Sequence, residues 1–121
     1  MRKVLVIDDE AIVRISSKRT LVPEGFEVKL ADSGKAGIEI LEKESFDVIL
    51  LDLKMPDMGG IEVLEIIMER WPETKVIIVT GFSTVDTAVE ALRLGAFNHI
   101  EKPFTPDSLL AAVQEVFDKK D

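Results

Sequence analysis

Cysteine is absent from the 121-residue chain, and histidine occurs once, at His99. Without thiols there is no disulfide and no thiolate metal site, and one imidazole cannot build a zinc centre by itself. No apolar run approaches the ~18 residues of a membrane span, so no membrane contact is expected. The amino terminus, MRKVLVIDDE, starts basic, but its short apolar run meets three acids at once. That makes it a first strand rather than a signal peptide, and a cytoplasmic location fits. Basic clusters are missing too, the pair Lys119-Lys120 being flanked by acids. Against a net charge of −8, direct contact of this chain with nucleic acid is not expected. The negative balance reads first as solubility. What is present is enough for a core: 46% of residues are hydrophobic and mean hydropathy is +0.17. The length suits one domain, residues 1–121, built round a single core.

The stretch that organises the chain is FDVILLDLKMPDMGG, Phe46 to Gly60. Val48-Ile49-Leu50-Leu51 is apolar and β-branched enough to be a strand buried on both faces, as in a parallel sheet. It ends in a carboxylate, Asp52, and Pro56 with Gly59-Gly60 marks a loop. An acid at the carboxyl end of such a strand lies where open α/β sheets hold ligands.

Other segments repeat the pattern. Lys3 to Ile7 is a strand closed by Asp8-Asp9-Glu10, and a helix follows from Ala11 to Val22, stopped by Pro23 and Gly25. Val13 and Leu21 mark that helix's apolar face. Ser17, between them, is expected to bond back to a carbonyl one turn earlier or to face a crowded neighbour. Phe26 to Leu30 alternates as a more exposed strand, and Ser33 caps a helix from Gly34 to Lys43. Ile61 to Trp71 is a helix stopped by Pro72, and Lys75 to Val79 a strand ending at Thr80-Gly81. Thr84 to Leu94 is a helix with Val85, Ala88, Val89 and Leu92 in register, turned at Gly95. Phe97 to Ile100 is a short strand ending at Glu101-Lys102-Pro103. Thr105 caps a last helix that begins at Pro106 and buries Leu109, Leu110, Val113 and Phe117. Five strands alternating with five helices give an α/β fold, a parallel sheet covered on both faces. The chain stops just past the last helix, as a whole protein or one domain of a longer one would.

Every informative polar residue then falls at the same end of a strand. Asp8 and Asp9 follow the first, Asp52 the third, Thr80 the fourth and Lys102 the fifth. Three carboxylates in one cleft repel, each pair by roughly 4 kcal/mol at about 4 Å and an effective dielectric of 20. Hard oxygen ligands without His or Cys point to Mg²⁺, with Mn²⁺ as the other candidate. Three carboxylates, one such ion and Lys102 balance in charge. Phosphorylating Asp52 would add roughly one negative charge and new acceptor oxygens. Thr80 can donate its hydroxyl to them, and Gly81 leaves room for its backbone to approach. Singly, each residue has a plainer reading: a helix cap for Asp8-Asp9, a turn for Asp52, a strand end for Thr80, a surface lysine for Lys102. Together they point to a phosphoacceptor. His99 reads as a packing residue.

The motifs VLVIDDE, LLDLKMPDMGG, VTGF and EKPF, in that order, resemble the receiver domain of bacterial two-component response regulators, along essentially the whole chain. The resemblance implies a flavodoxin-like sheet of order 2-1-3-4-5, an order of which a member of this family is itself a standard example. It implies that Asp52 is the phosphoacceptor, supplied by a phosphohistidine on a sensor histidine kinase. Asp8, Asp9, Asp52 and the Lys54 backbone carbonyl would bind Mg²⁺. Thr80 would be the hydroxyl switch and Lys102 the partner of the phosphoryl group, with the Lys102-Pro103 bond cis, a costly state that proline makes tolerable. The fourth helix, fifth strand and fifth helix would form the face that switches, and a homodimer through that face is a further expectation. The aromatic that the family often carries three residues before the lysine is replaced here by His99, a weaker candidate for the rotamer switch. The stretch VTGFSTVDTAVEALRLGAFNHIEKPF looks most like receivers of sigma-54-dependent, nitrogen-regulatory-type activators, implying control of transcription by an output domain.

The rival readings are a stand-alone or kinase-fused receiver, an aspartyl-phosphate phosphatase and a flavin carrier. A phosphatase would want a second acid two residues after the nucleophile, where Lys54 stands, so the chain is not expected to be an enzyme beyond assisting its own phosphorylation and slow dephosphorylation. Phe82 beside the site would further hinder water. A flavin phosphate would be repelled by Asp8-Asp9-Glu10, where neutral donors are needed.

Overall fold

The computed structural model describes residues 1–55, 58–81 and 85–118. The chain runs β1 (Lys3–Ile7), α1 (Ala11–Leu21), β2 (Glu27–Ala31), α2 (Gly34–Leu41), β3 (Val48–Asp52), α3 (Gly60–Arg70), β4 (Lys75–Thr80), α4 (Val85–Arg93), β5 (Asn98–Glu101) and α5 (Pro106–Asp118), with a 3-10 turn at Val22–Glu24. All pairings are parallel, in the order β2-β1-β3-β4-β5. The expected alternation and strand order are thus observed, with element ends shifted by a residue or two. Pro56, Phe82, Thr84 and Lys119-Lys120 lie outside the described residues.

Strand alternation explains the two-sided core. Val4 and Val6, Val48 and Leu50, Ile77 and Val79 face α1 and α5, where Leu21, Leu109, Val113 and Val116 meet them. Leu5 and Ile7, Ile49 and Leu51, Val76 and Ile78 face the other way, against Leu41, Val63, Leu64, Ile67 and Ala91. β3 is buried at every position, which is why Val48 to Leu51 is an unbroken apolar run before Asp52. Each fully buried Leu or Ile contributes about 1.5–3 kcal/mol over its exposed state.

The caps hold where side chains could supply them. Ser33 Oγ accepts the Ala36 N–H at 3.1 Å. At α5, Thr105 Oγ1 accepts the Ser108 N–H and Ser108 Oγ accepts the Thr105 N–H, each at 3.0 Å, a reciprocal box before Pro106. Gly95, at φ +113°, turns the chain out of α4.

Two expectations are corrected, and of the two alternatives for Ser17 one is excluded. Among the described side chains of α4, which do not include Val85, the buried ones are Ala88 and Ala91, while Val89 and Leu92 are 46% and 39% exposed. Both sets fit helical spacing, and the small residues face the sheet because α4 packs close to it. Ser17 is fully buried, yet its hydroxyl has no hydrogen-bond partner among the described residues, so it does not bond back along α1. His99 is exposed on β5 rather than packed.

Gly60 starts α3 pressed against the end of β3. A methyl group there would stand 2.7 Å from the Asp52 carbonyl oxygen and against the Leu53 backbone, neither of which can turn aside. Gly60→Ala should therefore lower stability by about 1–3 kcal/mol, read as an earlier denaturant midpoint at unchanged slope.

Candidate functional site

Register brings the acids together before any side chain is considered. Ile7 is paired with Leu51 and Thr80 with Glu101. One step beyond Ile7 and Leu51, Asp8 and Asp52 stand side by side at the carboxyl edge of adjacent strands, on one face. The Lys102 N–H donates to the Thr80 carbonyl at 2.6 Å, which ties the residue after β5 to the end of β4. The Lys102-Pro103 bond is cis, as expected.

Local turns then aim the carboxylates. Asp8 Oδ1 accepts the Glu10 N–H at 2.9 Å, and Asp52 Oδ1 accepts the Lys54 N–H at 3.1 Å. Both are bonds to the backbone two residues on, the habit of aspartate in turns. Each leaves its Oδ2 facing the cleft. Lys102 Nζ lies 3.0 Å from Asp8 Oδ2 and 3.4 Å from Asp52 Oδ2. Asp8 Oδ2 is buried and accepts no aligned hydrogen bond among the described residues, so its tie to the lysine is one of charge. Asp52 thus makes a turn bond with one oxygen and faces Lys102 across the cleft with the other.

Asp8 and Asp52 are only 1% and 4% exposed. Burial, together with the neighbouring Asp8 charge, pushes Asp52 up from 3.8 to about 6, although the Lys54 N–H and the Lys102 ammonium pull the other way. Burial also raises Asp8, against the Glu10 N–H and Lys102. For Lys102 burial favours the neutral form, but its contacts with Glu10 and Asp8 and the charge of Asp52 prevail and hold the ammonium above its ordinary value. The acids are a destabilising group that one lysine only partly neutralises.

A depression of about 230 Å³ opens over these groups, lined by Asp9, Glu10, Asp52, Lys54, Gly81 and Lys102. It is small enough to suit a phosphoryl group and an ion. Asp8, Glu10 and Asp52 offer carboxylate oxygens within 4.8 Å of one another. The inward-facing Oδ2 atoms of Asp8 and Asp52 begin an all-oxygen donor set that fits a hard divalent cation, while the Glu10 carboxylate is engaged with Lys102. Asp9 is exposed at the rim, and Thr80 is buried at the end of β4. A Cβ on Gly81 would meet nothing within 4 Å among the described residues, so their packing does not demand glycine there. His99 does not line this depression.

Glu10 is the residue that sequence reasoning passed over. It occupies the N-cap of α1, yet its side chain makes no capping bond and reaches Lys102 instead, at 2.6 Å. The only signal in the sequence was a third consecutive acid after β1, at a position where glutamate is a poor cap.

A family profile described as the response regulator receiver domain matches residues 4–114. Among curated proteins, the chain is 38% identical over 114 residues to the regulatory protein AtoC of Escherichia coli (strain K12), covering 94% of this chain and 25% of that protein. It is 38% identical over 111 residues to the DNA-binding transcriptional regulator NtrC of Proteus hauseri, covering 92% and 24%. The chain thus spans about a quarter of the length of these relatives. Among solved structures it is similar to a CheY-like receiver domain protein from Methanospirillum hungatei JF-1, at 36% identity and TM-score 0.93, covering 98% of this chain and 95% of that one. The receiver domain of NtrX from Brucella abortus matches at 29% identity and TM-score 0.90, covering 95% and 98%. Relatives bearing NtrC and NtrX names agree with the resemblance to nitrogen-regulatory-type activators. With the fold, the acid–lysine cleft and a family match along nearly its whole length, the chain belongs to the response regulator receiver domains of two-component systems.

Proposed function

We propose that residues 1–121 form one receiver domain that accepts a phosphoryl group on Asp52 and uses it to change its surface. The observation that carries this is the convergence of Asp8, Asp52 and Lys102 at one mouth. The donor is a phosphohistidine of a sensor histidine kinase. Its P–N bond breaks with the electron pair passing to the ring nitrogen, which takes a proton. A P–O bond forms to a carboxylate oxygen of Asp52. Asp8, Asp9, Asp52 and the Lys54 carbonyl would hold Mg²⁺, or Mn²⁺ in its place, and the ion when bound neutralises charge on the transferring group. Lys102 pairs with the phosphoryl oxygens. Thr80 donates its hydroxyl to them, and Gly81 lines the same rim.

The domain is not an enzyme with turnover on a separate substrate; it assists its own phosphorylation and slow dephosphorylation. Drawing Thr80 toward the phosphoryl group would move the α4–β5–α5 face. The exposed Val89 and Leu92 on α4 support a face that meets a partner, whether an output domain controlling transcription or a second copy of the chain. His99, exposed on β5, belongs to that face, but no contact among the described residues makes it a rotamer switch. A cytoplasmic setting fits, and among the described residues no helix is long and apolar enough to cross a membrane.

The test is incubation with acetyl phosphate and Mg²⁺, followed by intact mass and peptide mapping. One phosphate should appear on the peptide holding Asp52, and none should form when EDTA is present from the start. A label elsewhere, or none, would overturn the reading.

A further inference from the structure

We infer that Glu10 is a positioning residue that clasps Lys102 and sets how readily Asp52 takes a phosphoryl group. The inference rests on Asp52 being the phosphoacceptor. Lys102 Nζ is 2.6 Å from Glu10 Oε1 but 3.4 Å from Asp52 Oδ2, so its shortest ion pair is with the residue at the mouth, not the acid at the base. The Glu10 carboxylate is available for this because it does not cap α1. The Glu10 backbone is fixed, its N–H held by Asp8 Oδ1 and its carbonyl accepting the N–H groups of Val13 and Arg14. The clasp therefore has a rigid root and a free end, and the Glu10 side chain is 53% exposed.

One consequence follows from charge. A phosphoryl group arriving on Asp52 needs the ammonium to move toward it, and Glu10 must let go. In the transfer from acetyl phosphate, the bond from phosphorus to the acetate oxygen breaks, acetate leaves with the electron pair, and a bond to the Asp52 oxygen forms. Negative charge spread over the phosphoryl oxygens at that moment favours a released lysine.

The experiment compares wild type, Glu10→Gln, Lys102→Met and the double variant at saturating Mg²⁺. Glu10→Gln keeps the shape and loses the charge. It should label about three- to tenfold faster than wild type at low salt, with the advantage shrinking at high salt. In the Lys102→Met background the same change should alter the rate less than about twofold, because the clasp has nothing to hold. The Mg²⁺ midpoint, read from melting-temperature shifts, should weaken less than about fivefold in Glu10→Gln. Equal or slower labelling by Glu10→Gln would overturn the inference. So would an acceleration that persists without Lys102, which would mean plain repulsion of the donor, or a Mg²⁺ affinity lost tenfold or more, which would make Glu10 a metal ligand. Wild-type protein that takes no label at all would instead refute the phosphoacceptor reading, and this inference with it.

Discussion

Asp52→Asn should take up no phosphate and, with divalent ions chelated, should be more stable than wild type at pH 7 by about 1–3 kcal/mol. The first half follows from removing the oxygen nucleophile, and labelling should fall at least about a hundredfold. The second half follows from the direction in which the carboxyl is pushed. Asp52 sits at about 6 in the folded chain against 3.8 in an exposed one. Between those values the folded state holds the proton more often than the unfolded state does. Stability therefore falls as pH rises through that window and stays lower above it. A tenfold difference in proton affinity between the two states is worth about 1.4 kcal/mol, and coupling to Asp8 divides the effect between the two acids. Asparagine escapes the loss. The variant's advantage should accordingly be absent below about pH 4 and full above about pH 7. Mg²⁺ should reverse the order, since at a hundredfold excess over its dissociation constant it stabilises the binder by about 2.7 kcal/mol. Thermal melts at several pH values, with EDTA and with Mg²⁺, check both arms. Melting is the readout to use, because Trp71 ends α3 at the opposite end of the sheet, beside Phe46 and Thr74. An unchanged melting temperature across the pH series would sink the electrostatic account of the site.

Lys102→Met should act the other way. It removes the cation that Asp8, Glu10 and Asp52 share. Breaking a buried ion pair by deleting one partner costs about 3–5 kcal/mol. Here Glu10 is half exposed and can turn to water, so a loss of about 2–3 kcal/mol is expected. With the folded Lys102 ammonium held above its ordinary value, that contribution is fully present at neutral pH and is lost only as pH rises through the folded value. The deficit of the variant should shrink below pH 4, where the acids are protonated, and on adding Mg²⁺. It should also shrink in the Lys102→Met, Asp52→Asn double variant, since the neighbouring charge has gone. A deficit independent of pH, metal and Asp52 would mean that the lysine stem contributes packing alone.

Much of this protein was legible in its sequence. Val48 to Leu51 read as a strand covered on both sides, and alternation with capped helices pointed to a parallel sheet. Residue types at strand ends then named Asp8, Asp52, Thr80 and Lys102, because a parallel sheet gathers those ends at one edge. Legibility failed where two readings shared one period or one residue had two options. Val89 and Leu92 on α4 fit the helical spacing as well as Ala88 and Ala91 do, and only the close approach to the sheet chose the alanines. The chain order did not say whether Glu10 would cap its helix or cross the cleft, because that depends on Lys102, 92 residues away.

The sequence by itself determined the layers, the order of elements and which acids reach the edge, since these follow from local periodicity and from the handedness of parallel crossovers. Only the tertiary structure decided which oxygen of each aspartate faces the cleft, which acid holds the lysine, and which side of α4 is left to solvent. Those depend on distances between segments remote in the chain, and no local rule carries them.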